Sequence, residues 1–314
     1  MKILMVGRGV ITSLYGWALE RAGHHVEFLV REGRAAAYGE EIDLDLLDAR
    51  RLPWGKRVTG RWPVRLRESL EPDHDFDLIV LSVQHYSFAQ ATASLRTRVG
   101  NATVLVFNNL LEEPLTAIEH LPADQVAWGF PGAGGGFADG DVLRGALLPV
   151  VFFGTFDRPP TAREQAVRTV FREAGFRIQE SSDFRGWLLI HFVQNAGLHT
   201  QSLKRGSLSA LTARDVRAAI LATRELLPLV EARGVDLRRH RGELLPFRAP
   251  VGLAAPALAG LFAHFPPMRM VMRAHANPEE LRAVCRDTLA EARRLGLRVP
   301  ELEAAEPYFA AERA

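Results

Sequence analysis

The chain has 314 residues, 47% of them apolar, and 39 basic side chains against 37 acidic ones give a formal charge of +2. That length suits two compact units, and the near-balance of charge excludes the strongly basic signature of a nucleic-acid binder or a polybasic membrane-surface protein. A lone cysteine, Cys285, excludes an intramolecular disulfide framework, argues against a cysteine metal site and fits a reducing, cytoplasmic setting.

Residues 2–7, K-I-L-M-V-G, read as a short buried strand, too short an apolar run for a signal peptide. A helix over 12–23 and a second strand, H-V-E-F-L-V (25–30), follow. Two more apolar strands, 76–83 and 103–108, flank a helical stretch near 86–97. This alternation predicts an α/β class with a parallel, doubly wound sheet. The run W-G-F-P-G-A-G-G-G-F-A-D-G (128–140) reads as a glycine-rich loop or hairpin, whose glycines would permit close contact with a ligand. A strand over 146–154, a helix over 161–174 and F-R-I-Q-E (176–180) complete the sheet.

From Asp183 the texture changes to long helical patterns over 183–203, 212–234 and 278–295, the last opened by N-P-E-E. The stretch 251–263 is the nearest approach to a spanning segment, but it is short and carries Pro256, so it reads as a buried helix pair. The expected organisation is a nucleotide-binding domain over 1–182 and a helical domain over 183–314.

Gly7-Arg8-Gly9-Val10-Ile11-Thr12 follows the first strand and opens a helix, the setting a dinucleotide fingerprint requires. The first glycine permits the tight turn, the second lets backbone approach a pyrophosphate, and the helix N-terminus supplies N–H groups. Thr12 stands where a third glycine would serve helix–strand packing, and Gly16 lies one turn on. At the end of the second strand an acid selects NAD and an arginine accommodates the 2′-phosphate of NADP. The residue there is Arg31, which favours NADP(H), the alternative being a solvated loop charge.

With these features in order, the chain resembles the ketopantoate reductase (2-dehydropantoate 2-reductase) family over nearly its full length. The carriers are G-R-G-V-I-T, the strand-end L-S-V-Q (81–84), F-N-N-L-L-E-E (107–113), W-L-L-I-H-F-V-Q-N (187–195) and N-P-E-E-L-R…G-L-R-V-P (277–300). The resemblance implies a Rossmann-type N-terminal domain, an all-helical C-terminal domain and NADPH as hydride donor to a 2-oxo acid bound between them. It carries the cofactor- and substrate-facing role to Asn109 and the active-site glutamate to Glu280. Asn195 matches an asparagine one turn after the family's catalytic lysine.

The departures are specific. His191 stands where the family keeps that lysine, and Gln84, after Val83, where a lysine reaches the cofactor. Met268 falls where a serine would bind substrate carboxylate. Only Lys2, Lys56 and Lys204 are lysines, and Lys204 is thirteen residues past His191, too far to stand in. These differences weigh against ketopantoate itself as substrate.

Reducing a carbonyl develops negative charge on oxygen, which a histidine can meet with a proton or hydrogen bond. On a helix His191, Asn195 and His199 share a face with Trp187. The competing reading makes His191 a hydrogen-bonded core residue and Glu280 an ordinary first-turn acid. A metal site would lack a third ligand beside His191 and His199, so no metal is expected. The leading expectation is an NADPH-dependent reductase of a 2-oxo acid or related carbonyl compound. Alternatives are an imine reductase and a nucleotide-binding sensor without turnover. The expected partner is a small-molecule substrate, with neither nucleic acid nor membrane, and a homodimer is the one protein assembly entertained.

Overall fold

The computed structural model describes residues 1–138, 141–275 and 277–310. They fall into two compact units: Met1–Asn108 with Glu112–Phe184, and Asn109–Leu111 with Arg185–Ala314.

The first unit begins with β1 (Lys2–Val6), α1 (Val10–Glu20), β2 (His25–Leu29), α2 (Ala35–Tyr38), β3 (Glu41–Asp48), β4 (Lys56–Pro63) and β5 (Leu66–Arg67). It continues through β6 (Leu78–Leu81), α3 (Phe88–Leu95), β7 (Thr103–Val106), α4 (Pro114–Ala117) and β8 (Val126–Phe130). It closes with β9 (Ala133–Ala138), β10 (Val142–Leu147), β11 (Val150–Gly154), α5 (Ala162–Glu173) and β12 (Arg177–Ser181).

The main sheet runs β12-β11-β8-β7-β6-β1-β2-β5, parallel except where β11 meets β8. Its strands are short apolar runs because a parallel sheet covered on both faces buries both sides of every strand. β6 (LIVL) and β7 (TVLV) are buried at every position. From β5 to β8 the order is that of a Rossmann sheet, third-second-first-fourth-fifth-sixth, and the order reverses between β1 and β6.

A second sheet, β4-β3-β10-β9, was not expected. Its strand β3, E-I-D-L-D-L-L-D, alternates buried and open positions, as a sheet with one solvated face requires. Over the described residues 128–138 the loop expected for 128–140 gives way to strands, the hairpin alternative holds for β9 with β10, and residues 139 and 140 lie outside the described residues. β8 belongs to the main sheet and β9 to the second, antiparallel to β10. The glycines serve backbone packing: a Cβ on Gly132 would sit 1.9 Å from the Val150 carbonyl oxygen, and one on Gly135 2.1 Å from that of Arg144. The single strand expected over 146–154 is likewise two, the end of β10 and all of β11.

The second unit holds α6 (Phe184–Arg205, less its first residue), α7 (Ala213–Ala232), α8 (Arg241–Arg248), α9 (Val251–His264), α10 (Pro266–Ala274), α11 (Pro278–Arg294) and α12 (Pro300–Glu303). Side-chain caps start two of them: the Thr212 hydroxyl accepts from the Asp215 N–H, and the Asn277 side chain from the Glu280 N–H. The core joins Ile190, Phe192, Val193 and Ala196 of α6 to Leu226 and Val230 of α7 and to Val284, Cys285 and Leu289 of α11.

The buried pair expected over 251–263 is instead one helix with Pro256 inside it, and Ala255 is its buried residue. Leu253 is 72% exposed and Leu261 45%. Among the described residues no single helix is long and apolar enough to cross a membrane.

Candidate functional site

At the carboxyl edge of the main sheet, the glycine-rich turn is held by a small hydrogen-bond set. Gly7 has φ +83°, a left-handed conformation that favours glycine. Its N–H donates to the Leu29 carbonyl at 2.8 Å, which ties the turn to the end of β2. Gly9 caps α1, and the Thr12 hydroxyl accepts from the Gly9 N–H at 2.9 Å and donates to the Gly7 carbonyl at 2.8 Å. Thr12 therefore closes the turn from inside the helix. The close packing usually assigned to a third glycine falls to Gly16, where a Cβ would lie 2.9 Å from the Phe28 ring.

Val10 and Ile11 form the first turn of α1, partly buried against the core. Arg31 is exposed just past β2, and Val83 and Gln84 lie just past β6. These residues sit at the carboxyl ends of β1, β2 and β6, on both sides of the order reversal, where ligands bind in open α/β sheets. Arg8 behaves differently from its neighbours in the turn, being buried with 6% exposure.

A residue missed from sequence organises this edge. The Asn108 side-chain oxygen accepts from the Val83 N–H at 3.1 Å, and its amide donates to the Val83 carbonyl at 2.5 Å. Asn108 thus pins the end of β6 to the end of β7. It gave no signal in sequence because its neighbour Asn109 carried the family match.

Asn109, His191, Asn195 and Glu280 all belong to the second unit. Asn109 Oδ1 is buried with no hydrogen-bond partner among the described residues. His191 and Asn195 are one turn apart on α6 and partly buried. The His191 ring stacks on Trp187, with centroids 5.1 Å apart and planes within 6°. Burial pushes the His191 imidazole down to about 4, so it is neutral at pH 7.

The glycine after this pair has a steric reason: a Cβ on Gly197 would meet the Thr223 hydroxyl at 2.2 Å and the Ala219 carbonyl oxygen at 2.8 Å on α7. Helix α6 also meets α11, where the Cys285 thiol donates to the Ala196 carbonyl at 3.7 Å. Glu280 lies in the first turn of α11, its Oε2 3.8 Å from His275 Nε2. Burial lowers the His275 pKa, and Glu280 opposes that shift. Sequence reading passed over His275 because it falls between helices α10 and α11.

The first unit is thus a Rossmann-type sheet with a glycine turn at its order reversal, and a helical unit follows it in sequence. Residues 3–138 match the family described as Ketopantoate reductase PanE/ApbA. A 2-dehydropantoate 2-reductase of Pyrococcus abyssi is 25% identical over 202 residues, 63% of this chain and 62% of the relative, so the match spans less than two thirds of that protein. One from Halobacterium salinarum is 25% identical over 241 residues, covering 76% of this chain and 77% of the relative.

The structure of 2-dehydropantoate 2-reductase from Geobacter metallireducens shares the fold with a TM-score of 0.70 at 18% identity, over 99% of both chains. A D-mandelate dehydrogenase in complex with NADH does so with a TM-score of 0.67 at 13% identity, over 99% of this chain and 98% of the other. Residues 3–138 thus match the ketopantoate reductase family, and nearly the whole chain shares the fold of the solved 2-dehydropantoate 2-reductase.

Proposed function

We propose that the protein is an NADPH-dependent reductase of a 2-oxo acid or related carbonyl compound. The observation that carries this reading is the Gly7–Thr12 turn at the head of α1, set at the sheet's order reversal within the segment that matches the family. The residues of this edge fit a dinucleotide. Gly7 and Gly9 let backbone come close to a pyrophosphate, the α1 N-terminus favours its charge, and Arg31 suits a 2′-phosphate. Val83 and Gln84 line the same edge. A bound nicotinamide supplies the hydride.

In the second unit His191, Asn195, Glu280 and Asn109 are the proposed substrate-facing groups. A neutral imidazole meets the charge growing on a carbonyl oxygen by donating a hydrogen bond from its N–H, rather than by delivering a proton from a cation. That task does not need the ammonium of a lysine. Asn195 and Asn109 orient substrate or ring through their amides, and Glu280 holds a hydroxyl or exchanges its proton. The unpartnered Asn109 Oδ1 supports such a role, because buried acceptors without partners are rare.

The experiment is a fluorescence titration with NADPH, followed by NADPH oxidation on a panel of 2-oxo acids with and without added amines. Saturable binding with turnover on a keto acid, reduced about 100-fold or more by His191→Ala, is expected. Turnover only with amines present identifies an imine reductase. The neutral state of His191 favours one second reading, a sensor that binds the nucleotide without turning over, and binding without oxidation on the whole panel identifies it. A protein that binds neither NADPH nor NADH is not a reductase of this kind.

A further inference from the structure

Arg8 holds the variable position of the G-x-G turn, and its side chain is folded inward instead of out to water, with 6% exposure. Its guanidinium lies over the Tyr38 ring at 4.9 Å and over the Phe137 ring at 5.1 Å. Two aromatic contacts fix the plane of the group and leave its N–H edge as the part able to bind. Among the described residues Nε and Nη2 are buried and have no hydrogen-bond partner. Desolvation lowers the Arg8 pKa, with Asp141 and Tyr38 opposing. A guanidinium does not give up its proton in a protein, so a buried one with unmatched donors calls for an anion.

The position of the group says which anion. Gly7 is hydrogen-bonded to Leu29, so the turn carrying Arg8 abuts the end of β2, two residues before Arg31. Tyr38 ends α2, the short helix after β2, and the Arg34 guanidinium also lies over its ring, at 5.0 Å. Arg8, Arg31 and Arg34 therefore collect at the end of β2, where this fold binds the adenosine ribose and any phosphate on it. The pyrophosphate, by contrast, is served by backbone N–H groups at the head of α1. A phosphate monoester offers three oxygens and close to two charges, which suits the paired N–H groups of an arginine fork.

We propose that Arg8, clamped between Tyr38 and Phe137 and assisted by Arg34, binds the ribose 2′-phosphate of the cofactor and is the buried determinant of NADPH over NADH. The assignment deepens the cofactor reading above and rests on it. Arg31, exposed at the strand end, adds charge to the same site but lacks the fixed orientation.

Binding of NADPH, NADH, 2′,5′-ADP and 5′-AMP by calorimetry, on the wild-type protein and on Arg8→Met and Arg8→Lys, tests it without any turnover assay. The Met variant is expected to lose about 10- to 100-fold in affinity for NADPH and 2′,5′-ADP. Its affinity for NADH and 5′-AMP stays within about threefold, and its melting temperature does not fall, because buried donors without hydrogen-bond partners have been removed. Equal losses for NADPH and NADH overturn the assignment, placing Arg8 at the pyrophosphate or in the turn's own stability. A variant that keeps the wild-type preference for NADPH also overturns it, while the cofactor reading stands. Wild-type protein that binds NADH as tightly as NADPH overturns the cofactor reading itself. Should the Met variant not fold, Arg8→Lys decides: it keeps the charge but loses the planar fork, so a selective loss of about 10-fold for NADPH is expected and equal losses refute the proposal.

Discussion

At the carboxyl edge of the first sheet, the proposed contacts are largely backbone, positioned by strand order and by a turn that Thr12 holds shut. In the second unit they are side chains carried on helices, positioned by how closely α6 packs on α7 and α11. The two regions store their precision differently. A backbone site tolerates few residue types, because its geometry depends on a left-handed glycine at Gly7 and on an absent Cβ at Gly16. A side-chain site accepts exchange on an unchanged helix, and its chemistry then follows the new group's surroundings. His191 illustrates this: burial keeps it neutral, so in the proposed reaction it would donate a hydrogen bond where an ammonium would deliver a proton.

Three measurements break or sharpen that contrast. The largest effect belongs to close packing. Gly197→Val would drive a side chain into Thr223 and the Ala219 carbonyl, and a loss of about 3 kcal/mol or more in urea unfolding is expected. A loss under about 1 kcal/mol would mean that α6 and α7 separate easily and that the second unit is not rigid enough to place His191.

The next largest is a pH effect. The His191 pKa of about 4 lies below its unfolded value near 6.5, so above pH 6.5 both states are neutral and the full stability is present. As pH falls from 6.5 to 4 the unfolded chain takes up the proton first and stability drops, by up to about 3 kcal/mol, then levels off once the folded state also protonates. His191→Phe is expected to lack this component of the wild-type curve. Superimposable pH dependences for the two proteins would show that the ring is not desolvated.

The smallest effect is at the backbone site. Thr12→Ala removes the hydroxyl that bridges Gly9 and Gly7, at a cost of about 1 kcal/mol by thermal or urea unfolding. Nucleotide binding should weaken along with it. Unchanged affinity in the destabilised variant would separate the turn's geometry from its stability.

Much of the framework was legible along the chain. Continuous apolar runs such as L-I-V-L and T-V-L-V announce buried parallel strands, and the glycine turn with the strand before it and helix after it announces the head of a Rossmann-type unit. The second sheet was less visible for a physical reason. Its β3 strand alternates clearly, but β4, K-R-V-T-G-R-W-P, is mostly open to solvent and carries little apolar signal. The partner of β3 on its other side is β10, paired through Leu44 and Leu143, a contact that only long-range folding creates. The glycine-rich stretch 128–140 read equally as a loop or a hairpin because residue type alone does not tell conformational freedom from the need for close strands.

Sequence alone determined the alternation of strand and helix, the turn at Gly7–Thr12, the change to helices after Asp183 and the histidine inside the apolar run 187–193. Each of these is a local pattern, written in neighbouring residues. Tertiary structure decided what those groups are like chemically. Tyr38 and Phe137, distant in sequence, converge to bury Arg8, and the packing around α6 removes water from His191 and makes it neutral. Desolvation and charge depend on what surrounds a side chain in space, and the chain by itself fixes only what precedes and follows it.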